Sequence, residues 1–309
     1  MMSRDLASNA ATLVVDGKGI LAADETVPTL TRRFDALGIR STEQSRRTYR
    51  EMLFTAPGAA EFISGVILQD ETIRQRSSGG TPMAQLLSNE GILPGIKVDT
   101  GAKPLASSPG ETVTEGLDGL RERLSEYHGM GARFAKWRAV IHITEALPSP
   151  ACVSANAHAL ARYAALCQEQ HLVPIVEPEV LMDGSHTIER CEEVTGLVLH
   201  SVFDALFHQR VSLEAMLLKP NMVIAGKECL RQVSLEEVAT STLRCFAGTC
   251  RPRCLGLYSC RAAKTRALRP PISTRSTGSR ARNPGRSVSL TVGRFRIRRW
   301  RHGMGGTGI

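Results

Sequence analysis

Short apolar runs recur along the first 244 residues, and each ends in charge. They are GILAADE (19–25), GVILQDE (65–71), GIKVD (95–99), RFAKWRAV (133–140), VPIVEPEV (173–180) and AMLLKPNM (215–222). Runs this short, rich in Ile and Val and often opened by Gly, predict buried strands. Between them the apolar positions switch to helical spacing. Ser41-Thr42-Glu43-Gln44 has capping-box spacing ahead of SRRTYREMLF. Leu117, Leu120 and Leu124 repeat at helical intervals, as do Ala157, Leu160, Ala161 and Ala164 behind a Ser154 cap. A helix over 187–208 puts Ile188, Cys191, Val194 and Val198 on one face, and Ser-Leu-Glu-Glu at 234–237 opens another. This alternation predicts parallel strands with helical crossovers. A doubly wound sheet and a (β/α)8 barrel both satisfy it. No GxGxxG or P-loop follows any run, which counts against a nucleotide site.

With 309 residues and 42% apolar content the chain can bury a sizeable core. No apolar run approaches the ~18 residues of a membrane span. The opening MMSRDLASNAATLVVDGKG lacks the basic-then-apolar order of a secretory signal, and eight Cys are too few for a disulfide scaffold. A reducing cytoplasm is the expected location. The net charge of +9 averages two unlike parts. Residues 1–244 hold 24 Lys+Arg and 30 Asp+Glu, or −6; residues 245–309 hold 15 Lys+Arg and no acid, or +15.

Three of the strand-like runs carry a charged pair at i and i+2: Lys97/Asp99, Lys136/Arg138 and Glu177/Glu179. Side chains two apart on a strand share a face, so each pair points one way amid Ile, Val and Phe. Asp24 and Lys219 extend two further runs. A single charge at a strand end is usually a solvated rim residue. Five strands ending alike imply charges that meet each other or a ligand, because unpaired buried charge is costly. In parallel α/β folds that place is the carboxyl end of the sheet. Lysine there can attack a carbonyl and form a Schiff base, helped by a dry site and a second cation. Carboxylates beside it can move protons, and surplus Lys and Arg suit a phosphorylated substrate. The eight His are scattered without a His-Glu-x2-His motif, and no Gly-x-Ser-x-Gly elbow occurs, so metal and serine chemistry lack a signature.

From about residue 8 to 245 the chain resembles class I fructose-bisphosphate aldolase, the Schiff-base family. The likeness is carried by GKGILAADE, GVILQDET, GIKVDTG, ETVTEGLDGL, GARFAKWRAV, NAHALARYAALCQ, VPIVEPEVLMDG and LLKPNMV, in the family's order and spacing. GIKVDTGAKPLA is nearer the bacterial branch. The resemblance implies a (β/α)8 TIM barrel that reversibly cleaves fructose 1,6-bisphosphate to dihydroxyacetone phosphate and glyceraldehyde 3-phosphate, without cofactor or metal. It matches Lys219 to the Schiff-base lysine, Glu177 to the general acid/base, Asp24 to the aspartate at the substrate hydroxyl and Lys136 to the second active-site lysine. Arg138, Lys97 and Glu179 match supporting residues that position the substrate. Thr29, Arg32 and Arg33 match phosphate contacts on the helix after AADE. A homotetramer is implied by the same analogy, with neither a membrane nor a specific nucleic acid as partner.

After Leu243-Arg244-Cys245 the match stops, so six βα units are recognisable and the last two strands are missing or corrupted. The family's Ser-Gly-Gly and Tyr-Gly-Arg phosphate loops do not occur. Residues 1–244 thus read as the barrel part and 245–309 as a basic, Arg-rich tail. The tail holds 14 Arg and one Lys, lacks a sustained period, and has the composition of a GC-rich gene read out of frame. Its Cys at 245, 250, 254 and 260 lack paired Cys-x2-Cys knuckles, which makes zinc a weak reading. The rival to an aldolase is a noncatalytic aldolase-like platform whose tail holds nucleic acid through nonspecific charge. Without strands seven and eight, the first and sixth would keep open edges, and the chain as written is expected to aggregate or to have very low activity. Resequencing the coding DNA across codon 245 is expected to find one base whose restoration brings both phosphate motifs back. An intact frame would show the tail to be genuine.

Overall fold

A computed structural model describes residues 2–250, with the two-residue pieces 256–257 and 290–291. All six apolar runs contain a strand. These are β1 (Gly19–Ala22), β2 (Ile63–Leu68), β3 (Leu93–Lys97), β6 (Phe134–Ile141), β7 (Val173–Val180) and β8 (Leu217–Leu218). They pair in parallel in that order. A hairpin of β4 (Gly101–Pro104) and β5 (Thr112–Glu115) forms a separate small sheet after β3. The edges expected to be open each carry a short pairing. β9 (Gly256–Leu257) lies parallel to β8, and β10 (Leu290–Thr291) lies antiparallel to β1. The large sheet therefore runs β10-β1-β2-β3-β6-β7-β8-β9. Apart from the antiparallel β10, it is the curled parallel sheet of a (β/α)8 TIM-barrel-like fold.

The period-2 alternation of the strands sorts their side chains into two cores. Leu21, Val66, Leu68, Ile96, Trp137, Val176 and Leu218 face the surrounding helices. Ile20, Ile67, Phe134, Val173, Ile175 and Leu217 face inward and pack under the helix Met2–Leu13 through Leu6, Ala10 and Leu13. The inward faces change character toward the carboxyl ends. Ile20 is succeeded by Asp24, Phe134 by Lys136 and Arg138, Ile175 by Glu177 and Glu179, and Leu217 by Lys219. The lower interior is thus an apolar plug, and the upper interior is charged.

Helix starts differ slightly from the sequence pattern. Thr42, with an extended backbone, caps Glu43–Phe54 and exchanges hydrogen bonds with Ser45, one residue later than the Ser41/Gln44 box. Ser149 rather than Ser154 caps Pro150–Glu169, because Pro150 fits the first helical position and Ser149 accepts from the Cys152 N–H. Leu117 precedes Leu120–Gly129 instead of joining it. Thr187 and Ser234 cap Ile188–His208 and Leu235–Thr249. The latter helix runs past residue 244 and buries Cys245 and Phe246; Cys254 and Cys260 lie outside the described residues. Among the described residues no helix is long and apolar enough to cross a membrane.

Phe134 fills the plug only because two glycines face it. A Cβ on Gly95 would lie 2.3 Å from the Phe134 ring, and one on Gly65 would lie 2.9 Å away. Gly95→Ala is expected to lower stability by about 1–3 kcal/mol through overpacking. Urea unfolding checks this, and an unchanged midpoint would show that the ring can move aside.

Candidate active site

The carboxyl ends of β1, β3, β6, β7 and β8 bring their charged side chains to one mouth. β6 and β7 set the frame: Arg138 pairs in register with Glu177, and Lys136 stands opposite Lys97 of β3. Lys219 lies one residue beyond the two-residue ladder of β8. Its N–H donates to the Val176 carbonyl at 2.8 Å. Pro220 then offers no N–H, and the Asn221 side chain takes over the stitching. Its Oδ1 accepts from the Val180 N–H at 3.1 Å, and its Nδ2 donates to Thr195 Oγ1 at 3.0 Å.

Four of the side chains form a continuous line. The Lys219 ammonium donates to Glu177 Oε1. Lys136 Nζ stands 3.2 Å from Glu177 Oε2, an ion-pair contact outside hydrogen-bonding geometry. Lys136 Nζ also donates to Asp24 Oδ2 at 2.9 Å. Glu177 is 2% exposed, Lys136 7% and Lys219 9%. Two cations and two anions cancel, so the line as a whole adds no net charge to the interior. Burial alone would raise the Asp24 and Glu177 carboxyls, but Lys136 and Lys219 outweigh it and hold both below the ordinary carboxylate range. Burial likewise opposes the Lys136 charge, and Asp24 and Glu177 overcome it, raising the ammonium above the ordinary lysine range. The chemistry available is the Lys219 amine against the Glu177 carboxylate, which can take or return its proton.

Other expected site residues sit around this line. Arg138 pairs with Glu179 at the rim. Lys97 Nζ donates to Asp99 Oδ1 at 2.5 Å. On the helix Val27–Asp35, Arg32 donates to Thr29 Oγ1 at 3.4 Å, and Thr29 shares a 3.1 Å hydrogen bond with Thr26. Arg33 pairs with Glu25 rather than with a member of the central line. The sequence pattern did not single out Glu25, Arg50 or Asn221. Arg50 is 2% exposed, and its Nη1 donates to Glu25 Oε2 at 2.6 Å, which holds the segment carrying Asp24 against the helix Glu43–Phe54. An Arg among polar neighbours on a helix reads as a solvated face. Only the spacing of Asn221, two residues after Lys219, offered a signal for that residue. Among the described residues no group of three or more His, Cys, Asp or Glu is placed to hold a metal.

The chain is a parallel barrel with its ionised groups gathered at the mouth where such barrels carry their active sites. The family model for class I fructose-bisphosphate aldolase matches residues 5–263. The chain belongs to that family. A probable fructose-bisphosphate aldolase class 1 from Xanthomonas campestris is 59% identical over 249 residues, covering 81% of this chain and 75% of the relative. Fructose-bisphosphate aldolase 1 of Toxoplasma gondii is 50% identical, covering 83% and 71%. The cytosolic fructose-bisphosphate aldolase 6 of Arabidopsis thaliana is 51% identical, covering 79% and 68%. Among solved structures, Plasmodium falciparum fructose-bisphosphate aldolase, crystallised with TRAP and a small-molecule inhibitor, superposes with a TM-score of 0.82. It is 47% identical, with 84% of this chain and 75% of that one covered.

The shifted groups fix the direction of the pH dependence. Asp24 and Glu177, held below their ordinary values of 3.8 and 4.5, contribute stability that is full above those values and is lost as pH falls through the lower folded ones. Lys136, held above 10.5, contributes fully below that value and loses its contribution only in stronger alkali. Lys136→Met removes the cation that both carboxylates share. It is expected to cost about 3–5 kcal/mol at neutral pH. The cost should shrink in acid, where the protonated carboxylates no longer need the cation, so the urea midpoints of variant and parent should converge as pH falls below the ordinary carboxylate values.

Proposed function

We propose that the chain reversibly cleaves fructose 1,6-bisphosphate to dihydroxyacetone phosphate and glyceraldehyde 3-phosphate through a Schiff base on Lys219. The observation that carries this reading is the buried line Lys219–Glu177–Lys136–Asp24. The Lys219 amine, once its proton has passed to a neighbouring carboxylate, adds to the ketone carbon, and loss of water leaves an iminium. Asp24 accepts the proton of the hydroxyl two carbons away. The bond from that hydroxyl-bearing carbon to the carbon next to the iminium breaks, its electrons move into the iminium, and glyceraldehyde 3-phosphate departs. The enamine left on Lys219 takes a proton back from the acid/base Glu177. Water then releases dihydroxyacetone phosphate and restores the amine. Lys136 keeps both carboxylates ionised until they are needed, and Arg138, Lys97 and Glu179 orient the sugar phosphate.

Thr29, Arg32 and Arg33 supply one phosphate contact in this reading, and the second belongs to motifs that the sequence after 245 lacks. Residues 1–244 act as the catalytic barrel, and 245–309 add a basic tail. A cytoplasmic location is supported by the free cysteines among the described residues and by the cytosolic plant relative. Tetrameric assembly belongs to the same proposal. No described residue favours the rival nucleic-acid-binding platform, most of whose arm lies outside the described residues.

Borohydride reduction in the presence of dihydroxyacetone phosphate tests the reading. A covalent adduct at Lys219 is expected by mass spectrometry, and it should be absent in Lys219→Arg. Glu177→Gln should slow adduct formation by about 10²-fold or more. Steady-state cleavage of fructose 1,6-bisphosphate should lag far behind trapping, for want of the second phosphate contact. An unmodified Lys219 in the folded chain would overturn the proposal.

A further inference from the structure

Lys97 and Lys136 stand directly opposite each other on β3 and β6, an arrangement that like charges disfavour. They avoid it by turning in different directions. Lys136 reaches into the central line. Lys97 runs forward along its own chain, and its Nζ lies 2.5 Å from Asp99 Oδ1 and 3.1 Å from the Asp99 carbonyl. The Asp99 side chain is 3% exposed, and that of Lys97 is 18% exposed. Asp99 does not depend on Lys97 for its position. Its Oδ1 also accepts from the Gly101 N–H at 3.1 Å, and its Oδ2 accepts from the Arg138 N–H at 3.2 Å. Two backbone donors therefore satisfy the carboxylate when the ammonium leaves. The lysine is the wetter of the pair, and both residues line a cavity of about 350 Å³ together with Thr26, Asp70, Thr100 and Arg123.

We propose that Asp99 is a resting counter-ion for Lys97, a fixed dock from which the ammonium swings to the anionic end of a sugar phosphate. Asp99 thereby sets the affinity of the mouth for phosphate. The inference rests on the sugar-phosphate reading of the site. Asp99 is a positioning residue, because it touches Lys97 and the backbone of Arg138 and acts on the ligand through them. The departure of Lys97 costs one partly exposed ion pair, which makes phosphate binding weaker than an unpaired lysine would allow.

Inorganic phosphate is the probe, titrated into the full chain by calorimetry, so no turnover is needed. Asp99→Asn is expected to bind phosphate roughly threefold to tenfold more tightly than the parent. Lys97→Met should bind it more weakly than the parent, and the double variant should match Lys97→Met. A gain that persists without Lys97 would reduce the effect to net charge and overturn the dock. So would an Asp99→Asn chain with unchanged affinity. Lys97→Met leaves Asp99 and its two backbone bonds in place, so it decides the matter if Asp99→Asn fails to fold; unchanged phosphate affinity there overturns the proposal. Borohydride trapping on the same samples separates the two readings. Loss of the Lys219 adduct with the phosphate pattern intact removes the Schiff base and keeps the dock. The adduct with a flat phosphate pattern does the reverse.

Discussion

Four ionised side chains lie in a mouth that water barely reaches, and they stay charged only because each faces its opposite. Glu177 is the pivot, with one oxygen toward Lys219 and the other toward Lys136. Remove any one member and a neighbour is left as an uncompensated buried charge, which is far costlier than the pair is favourable. The barrel is arranged around this constraint. β6 and β7 are the longest strands and are paired along their full length, so the two residues that need the tightest relative placement sit on the stiffest part of the sheet.

The charged mouth depends on the apolar plug below it. The same alternation that aims Ile175 inward aims Glu177 inward two residues later, so the depth of the plug sets the height of the charges. Phe134 occupies the space left by Gly65 and Gly95 and leaves Lys136 as the next inward residue on β6. Outside the sheet, Arg50 and Glu25 do for Asp24 what Asn221 does for Lys219. Each ties the chain just past a strand end to a neighbouring element by a buried polar contact. These contacts matter because β1 and β8 are short and their ladders end before the reacting groups begin.

The central line was legible in the sequence because two periodicities coincide there. Charge at i and i+2 within an apolar run can only be a strand end with its charges on one face, and LLKPNM and AADE complete the set. The resemblance gave each residue a role that spacing could not. Contacts between distant segments were not legible. Arg50 and Glu25 are 25 residues apart, and nothing in either segment marks the other as its partner. Asp99 was visible as half of a charged pair, but its grip on the Arg138 backbone depends on the register between β3 and β6. The helix starts missed by one to five residues because several Ser and Thr qualify by type, while the cap is chosen by the backbone that is still extended, as at Ser149 ahead of Pro150.

The helix Met2–Leu13 gathers its partners from along the chain, from Ile20 to Leu217. Its Leu6, Ala10 and Leu13 share a core with Ala215 and Leu217, about 200 residues later. On a ribosome adding about 5–20 residues per second, those partners follow the helix by some tens of seconds. Throughout that interval Ile20, Ile67 and Phe134 can cover only part of the helix's apolar face. The floor of the barrel is therefore completed only when the sixth strand arrives, and until then part of the helix's apolar face is open to chaperones.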